Sequence, residues 1–287
     1  MMIRCLALII LLHSVDALAA SYPVDIVKGF IITQAEIDGQ TVNVILDSGA
    51  PGIVLNEKYY AEGKQKEIQC TGLNGNFLCG VRTIRSWKWL GAEKGKTKAL
   101  VSDLGFLENA TNRSIYALVG LSVLDDYYVS IDIDNETVTL RSTIPDAWES
   151  SMSKISFADH LPVISCTVNG QKKILGLDTG SASNYLFSFV PKENTLTHLE
   201  ATPVIVVGMD NREDLRHRVM LNVHISDQDA LATSSFIVDL THENTFQHEG
   251  FDGILGQEFL SHYNLIIHPG KQKMLLMPRV QEDVVLE

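Results

Sequence analysis

Short apolar runs broken by Gly, Asn, Asp and Pro recur along the whole chain, and long amphipathic stretches of helical period are few. Runs rich in Val, Ile, Leu and Tyr at close spacing read as strands. Asp38-Gly39 and Asn169-Gly170 each sit between two apolar runs, a hairpin signal. Two further hairpins are expected, Val129 to Ile133 turning at Asp134-Asn135 into Thr137 to Leu140, and Leu265 to Ile267 turning at Pro269-Gly270 into Met274 to Met277. Helix signals are few; about two turns each are expected over 121–128 and 257–263, with a glycine before each. The pattern predicts an all-β protein with a sandwich or barrel in each half.

The pattern also repeats. Ile37-Asp38-Gly39-Gln40 leads through an apolar run to Leu46-Asp47-Ser48-Gly49, and Val168-Asn169-Gly170-Gln171 leads through another to Leu177-Asp178-Thr179-Gly180. The step from turn glycine to aspartate is the same in both copies. Downstream, Leu118-Val119-Gly120 precedes Leu124 and Tyr127, and Ile254-Leu255-Gly256 precedes Leu260 and Tyr263 at matching offsets. A repeat of this length signals two similar structural units. The polar segment 142–155, with its single proline, reads as the connection between them.

Composition narrows the setting. Of 287 residues 45% are hydrophobic, enough for a substantial core, and the formal charge is -12. That balance argues against nucleic acid as a partner, since neutralising phosphates takes clustered Lys and Arg. At the start, Arg4, the apolar run Leu6 to Leu12 and Ala17-Leu18-Ala19 read as a signal peptide, residues 1–19, that is too short to span a bilayer. The mature chain is then expected to be secreted or periplasmic, with no membrane contact after cleavage. Cys70, Cys79 and Cys166 follow the leader, an odd number that permits one internal disulfide and one free thiol. Cys166 lies in an extended apolar run and reads as a buried small residue.

Two aspartates at one place in a repeat can meet on an approximate two-fold axis. Two carboxyls that close cannot both ionise cheaply, so one keeps its proton and the other its charge. Such a pair can activate a water without metal or cofactor. Ser48 and Thr179 offer hydroxyls that could bond across to the other half, and Gly49 and Gly180 permit tight turns and close backbone approach.

These residues resemble a known family. Asp47-Ser48-Gly49-Ala50 and Asp178-Thr179-Gly180-Ser181 resemble the active-site triplets of the pepsin and retropepsin superfamily of aspartic peptidases. Leu118-Val119-Gly120 and Ile254-Leu255-Gly256 resemble its later apolar-apolar-Gly element, which packs behind the catalytic loop. The resemblance runs from about Ile37 to Met277. It implies two similar acid-protease-type β-barrel lobes, 20–145 and 156–287, joined by a linker at 146–155, with a cleft between them and a pseudo-two-fold axis through it. The catalytic pair would be Asp47 and Asp178, supported by Ser48, Gly49, Thr179 and Gly180. The chain is shorter than a pepsin and has no room for a long basic pro-segment, which makes it look like two fused retropepsin-type domains of the prokaryotic kind. By position the family's flaps would fall at Cys70 to Cys79, with Gly72, Leu73, Asn74 and Gly75 at the tip, and at Val204 to Val219, with Gly208, Met209 and Asp210 at the tip. Neither carries the tyrosine usual in a pepsin flap. A Cys70–Cys79 disulfide would brace the first flap, with Cys166 as the competing partner. The implied activity is endopeptidase on a peptide or protein substrate, by a monomer, with no cofactor and no metal. The alternative is a binding protein that grips peptides in the same cleft without cleaving them.

Other motifs carry less. Gly91-Ala92-Glu93-Lys94-Gly95-Lys96-Thr97 is one residue short of a phosphate-binding loop, and His242, Glu243 and His248 lack zinc-peptidase spacing. There is no Gly-x-Ser-x-Gly elbow. Trp87 and Trp89 alternate as on one strand face and read as core, and the histidines are scattered and read as solvated surface. Asn109, Asn112 and Asn135 head glycosylation sequons that matter only in a eukaryotic source.

Overall fold

A computed structural model describes residues 20–63, 66–72, 75–188, 201–207, 213–225, 230–239 and 250–279. The expected signal peptide, Leu73, Asn74, and Gly208, Met209 and Asp210 lie outside the described residues.

The architecture is all-β, in three sheets. The hairpin turns form as their residues dictate. Asp38 and Gly39 both take positive φ, 51° and 86°, as do Asn169 and Gly170 at 47° and 80°. That conformation suits the twist of a two-residue hairpin. The paired strands are Phe30–Ile37 with Gln40–Leu46, and Leu161–Val168 with Gln171–Leu177. In Phe30–Ile37 the polar Gln34 and Glu36 are exposed while Ala35 and Ile37 are buried, so one face packs inward.

The first half builds a ten-stranded sheet in which Gln40–Leu46 pairs in parallel with Ala117–Val119. The second half builds an eight-stranded sheet in which Gln171–Leu177 pairs in parallel with Gly253–Leu255. In each case the short strand is flanked on its other side by an antiparallel partner, Ile53–Asn56 in one and Tyr185–Ser188 in the other. Those partners run parallel to Thr97–Ser102 and to Leu231–Asp239. In the second half, pairing of Leu161–Val168 with Glu213–His224 closes six strands into a barrel.

A six-stranded sheet joins the halves, ordered Ala20–Pro23, Thr137–Arg141, Tyr128–Asp132, Tyr263–His268, Lys273–Pro278 and Ser153–Lys154. At its centre Val129, Ile131, Leu265 and Ile267 are buried. The main core is continuous beneath all three sheets, from Ile31 and Trp89 to Phe259 and Leu276. Trp87 and Trp89 are both buried. Smaller clusters pack behind the segments that carry the aspartates, around Ile45 and Leu118 and around Tyr185 and Ile254.

Helix is scarce among the described residues, but it also forms where none is expected, at Glu57–Tyr60 and Gly105–Thr111. The two expected two-turn helices are single turns, a 3-10 turn at Leu121–Leu124 and an α-turn at Gln257–Leu260. The segment 142–155 contains a helix, Asp146–Ser151, and a short strand, Ser153–Lys154, that pairs with Lys273–Pro278. No helix among the described residues is long and apolar enough to cross a membrane.

Candidate functional site

Asp47 and Asp178 each follow the end of a buried strand, where the chain leaves the sheet and turns. The Asp47 N–H donates to the Val119 carbonyl at 3.0 Å, and the Asp178 N–H to the Leu255 carbonyl at 2.9 Å. Both turns close in the same way, Ala50 N–H onto the Asp47 carbonyl and Ser181 N–H onto the Asp178 carbonyl. Gly120 and Gly256 lie directly beneath. A Cβ on Gly120 would sit 2.1 Å from the Ala50 carbonyl oxygen, and one on Gly256 would sit 2.4 Å from that of Ser183. The apolar-apolar-Gly elements thus end in glycine because the loop backbone occupies the space of a side chain.

The two loops are locked together by their hydroxyls. Ser48 Oγ donates to the Leu177 carbonyl at 2.7 Å and accepts from the Thr179 N–H at 2.8 Å. Thr179 Oγ1 donates to the Leu46 carbonyl at 2.9 Å and accepts from the Ser48 N–H at 2.9 Å. Both side chains are buried, so these four bonds operate away from competing water.

The carboxyls meet across this lock and hydrogen-bond to each other. Each also accepts from the glycine two residues on, Asp47 Oδ1 from Gly49 N–H at 2.8 Å and Asp178 Oδ1 from Gly180 N–H at 2.9 Å. Each glycine faces the opposite aspartate. A Cβ on Gly180 would lie 2.3 Å from Asp47 Cγ, and one on Gly49 would lie 2.8 Å from all three carboxyl atoms of Asp178. Burial raises the Asp47 pKa well above the ordinary carboxyl value, and the Asp178 charge raises it further against the pull of the Gly49 and Ala50 N–H groups. Burial also raises Asp178, but the hydrogen bond with Asp47, the Gly180 N–H and His160 oppose the rise. One proton shared unequally by two carboxyls is the stable state of such a pair, and it places a general acid beside a general base.

The dyad opens onto a cavity of about 880 Å³. Its first-half wall carries the apolar Phe30, Val54, Leu100, Phe106 and Leu118 beside the polar Lys28, Gln69, Ser102 and Asn109. A hairpin of Lys66–Gly72 and Gly75–Ile84 forms a further wall, with Gly72 paired to Gly75 at its described end. Ile68, Cys70, Phe77 and Cys79 line the cavity from this hairpin. Cys70 and Cys79 form a disulfide with Cα atoms 5.9 Å apart. They are diagonal neighbours on one hairpin face rather than directly opposed, since Cys70 faces Phe77 and Cys79 faces Ile68. Cys166 is free and buried, and burial pushes its thiol up to about 12. In the second half the corresponding hairpin is Thr202–Val207 with Glu213–His224, and none of its described residues lines the cavity.

Two side chains of the site carry no sequence signal of their own. His160 lines the cavity beside the dyad and lies close enough to Asp178 to interact with its charge. This corrects the expectation that the histidines are solvated surface, as does His268, buried edge-on against Tyr128. Gln257, also buried, donates from Nε2 to the Thr179 carbonyl at 2.9 Å. Among the described residues no group of three or more His, Cys, Asp or Glu is placed to hold a metal ion. No protein-family model matches the chain, and no curated protein matches it significantly.

Proposed function

We propose that the chain is an aspartic endopeptidase of the pepsin and retropepsin superfamily, exported from the cytoplasm and active as a monomer. Two β-barrel lobes related by an approximate two-fold axis would each supply one catalytic aspartate. The observation that carries this reading is the crossed arrangement of the triplets, in which Gly49 lies against Asp178, Gly180 lies against Asp47, and the Ser48 and Thr179 hydroxyls exchange hydrogen bonds. Matching strand pairing in the two halves supports the two-fold relation. The Cys70–Cys79 disulfide supports an oxidising compartment.

In this reading a water sits between the carboxyls. The charged carboxylate takes its proton as the oxygen bonds to the peptide carbonyl carbon, and the protonated carboxyl hydrogen-bonds to the carbonyl oxygen. The resulting tetrahedral species collapses with a carboxyl proton delivered to the amide nitrogen, and the C–N bond breaks. The buried loops hold both groups in place before substrate arrives, so little reorganisation accompanies the step. The apolar cavity wall would take hydrophobic side chains of an extended peptide, under the disulfide-braced hairpin.

The test is peptide-library cleavage across about pH 3 to 8, with a hydroxyl-bearing transition-state analogue as control. Asp47→Asn and Asp178→Asn are each expected to lower turnover by about 10³-fold or more while leaving circular dichroism unchanged. Substantial turnover by either variant would remove the shared dyad. Tight binding of the analogue with no cleavage of any peptide would replace the enzyme by a peptide-binding protein.

A further inference from the structure

Equivalent positions of the repeat line the cavity from both halves. At matching steps after the aspartate, the first half presents Ala50, Pro51 and Val54, and the second presents Ser181, Ala182 and Tyr185. The last pair is equivalent in the sheets as well as in the sequence. Val54 pairs with Leu118 on one side and Leu100 on the other, and Tyr185 pairs with Ile254 and Phe236. Leu118 and Ile254 each open an apolar-apolar-Gly element.

The halves differ in what this row offers a ligand. In the first half Leu118, Val54 and Leu100 cross three neighbouring strands in register, and all three line the cavity with apolar side chains. In the second half Ile254 and Phe236 are drawn into a buried cluster, and of the three Tyr185 alone reaches the cavity. Its ring leans on that of Phe236, with centroids 5.8 Å apart. Tyr185 is 9% exposed, and among the described residues its hydroxyl has no hydrogen-bond partner. The Ser181 hydroxyl nearby already donates to the Ser183 carbonyl at 2.8 Å. Burial pushes the Tyr185 phenol up to about 12, so it stays protonated and can both donate and accept. A buried hydroxyl is costly to leave unbonded, so the site favours a ligand that supplies the missing partner. A tyrosine ring also takes up room that a valine leaves open.

We propose that Tyr185 is a specificity-determining residue of the cleft, selecting on the second-half side a short uncharged side chain that hydrogen-bonds, such as Ser, Thr or Asn, while the first-half row takes a large apolar one. The proposal rests on the peptidase reading and goes beyond it. The dyad loops are nearly alike in the two halves, but the surfaces on either side of them are not, and this difference fixes the direction in which a peptide lies.

A peptide library varied on each side of the scissile bond tests the proposal, using pairs of near-equal shape, Thr against Val and Asn against Leu. On one side the wild type should prefer Thr and Asn by about 3–10-fold in kcat/KM, the effect of one hydrogen bond to a neutral group. On the other side it should prefer Leu and Phe. Tyr185→Phe keeps the ring against Phe236 and removes the hydroxyl, so the Thr/Val and Asn/Leu ratios should fall to about one or below. Tyr185→Val reproduces the first-half residue and should admit Leu and Phe on both sides. Ratios that favour Val and Leu on both sides in the wild type, or that stay unmoved in Tyr185→Phe, would overturn the proposal. The same Thr and Val pair built into the transition-state analogue separates this proposal from the peptidase reading. Analogue affinities that differ as expected, with no peptide cleaved, would keep the role of Tyr185 and remove the enzyme. An analogue pair bound equally well, or not bound at all, would overturn the role of Tyr185 whether or not peptides are cleaved.

Discussion

At the scale of single residues, the tightest constraint falls on the glycines of the triplets. Neither Gly49 nor Gly180 has a positive φ, so the requirement for glycine is one of space and not of conformation. Gly180→Ala would place a methyl 2.3 Å from Asp47 Cγ and 2.5 Å from Oδ1. Asp47 is buried and tied to Asp178, so it cannot swing aside without breaking the pair. The substitution is expected to cost about 1–3 kcal/mol, the range of overpacking in a filled interior, and to lower kcat/KM at least about 100-fold. Denaturant unfolding and turnover measure the two effects; a variant within twofold of wild type in kcat/KM would mean that the carboxyls are not held as described. The dyad was legible in the sequence because two triplets with apolar-apolar-Gly partners recur at matched positions. His160 was not, since no local motif marks it. The available signal was in the repeat itself: His160 stands as far before Gly170 as Gly29 stands before Gly39, and a substitution of Gly by His at equivalent places of a repeat marks a site where the halves have diverged.

Among the elements, the hairpin Lys66–Gly72 with Gly75–Ile84 is the one whose stiffness would bear on binding in the proposed cleft. Among the described residues its outer strand is the edge of the ten-stranded sheet, paired with one neighbour. The Cys70–Cys79 bond ties that edge strand to the inner one on the face that lines the cavity. Replacing both cysteines by serine is expected to lower stability by up to about 2–3 kcal/mol, the chain-entropy value for so small a loop. The larger consequence should be a KM raised several-fold with kcat nearly kept, because the cavity wall loosens while the dyad loops are untouched. Steady-state kinetics separate the two. A kcat that falls with KM unchanged would place the hairpin's contribution in the chemical step instead. The hairpins themselves were readable from Asp38-Gly39 and Asn169-Gly170, whose Asp38 and Asn169 side chains also tie the turns to other segments of the same sheet. Asp38 Oδ1 accepts from Arg85 and Ser86 N–H groups, and Asn169 Oδ1 accepts from Asn222 N–H. The expected helices after Gly120 and Gly256 were too long because Tyr128 and Tyr263 are claimed by strands of the six-stranded sheet. Tertiary pairing there overrides a local preference for continuing the helix.

For the molecule as a whole, the least legible feature was the six-stranded sheet. Ala20–Pro23 pairs with Thr137–Arg141, and Ser153–Lys154 with Lys273–Pro278, across separations that no periodicity reveals. Together with the four buried bonds of Ser48 and Thr179, this sheet ties the stability of one half to that of the other, so a charge change in the dyad should be felt in global unfolding. Both aspartates have folded pKa values above the ordinary value, which is about 4 in an unfolded chain. A carboxyl with a raised folded pKa makes the native state bind a proton that the unfolded state releases. Its favourable contribution is complete below the unfolded pKa and is lost as pH rises through the folded one. Other carboxyls act in the opposite sense. Asp134, held low by its hydrogen bond with Arg279, and Glu149, held low first by Tyr128 and then by Lys271, each favour folding as pH rises. The wild-type curve therefore mixes the two signs, but the difference between wild type and Asp47→Asn isolates the dyad, because the other groups are common to both. Asp47→Asn has no proton to lose at this position and relieves Asp178 of a titrating neighbour. Its melting temperature relative to wild type should therefore climb from about pH 4 upward and level off once the wild-type pair has given up its shared proton. Calorimetric melts of the two proteins at matched pH give the difference directly. A difference that stays flat over the range, or that grows toward acid, would mean that the dyad does not retain its proton in the folded protein.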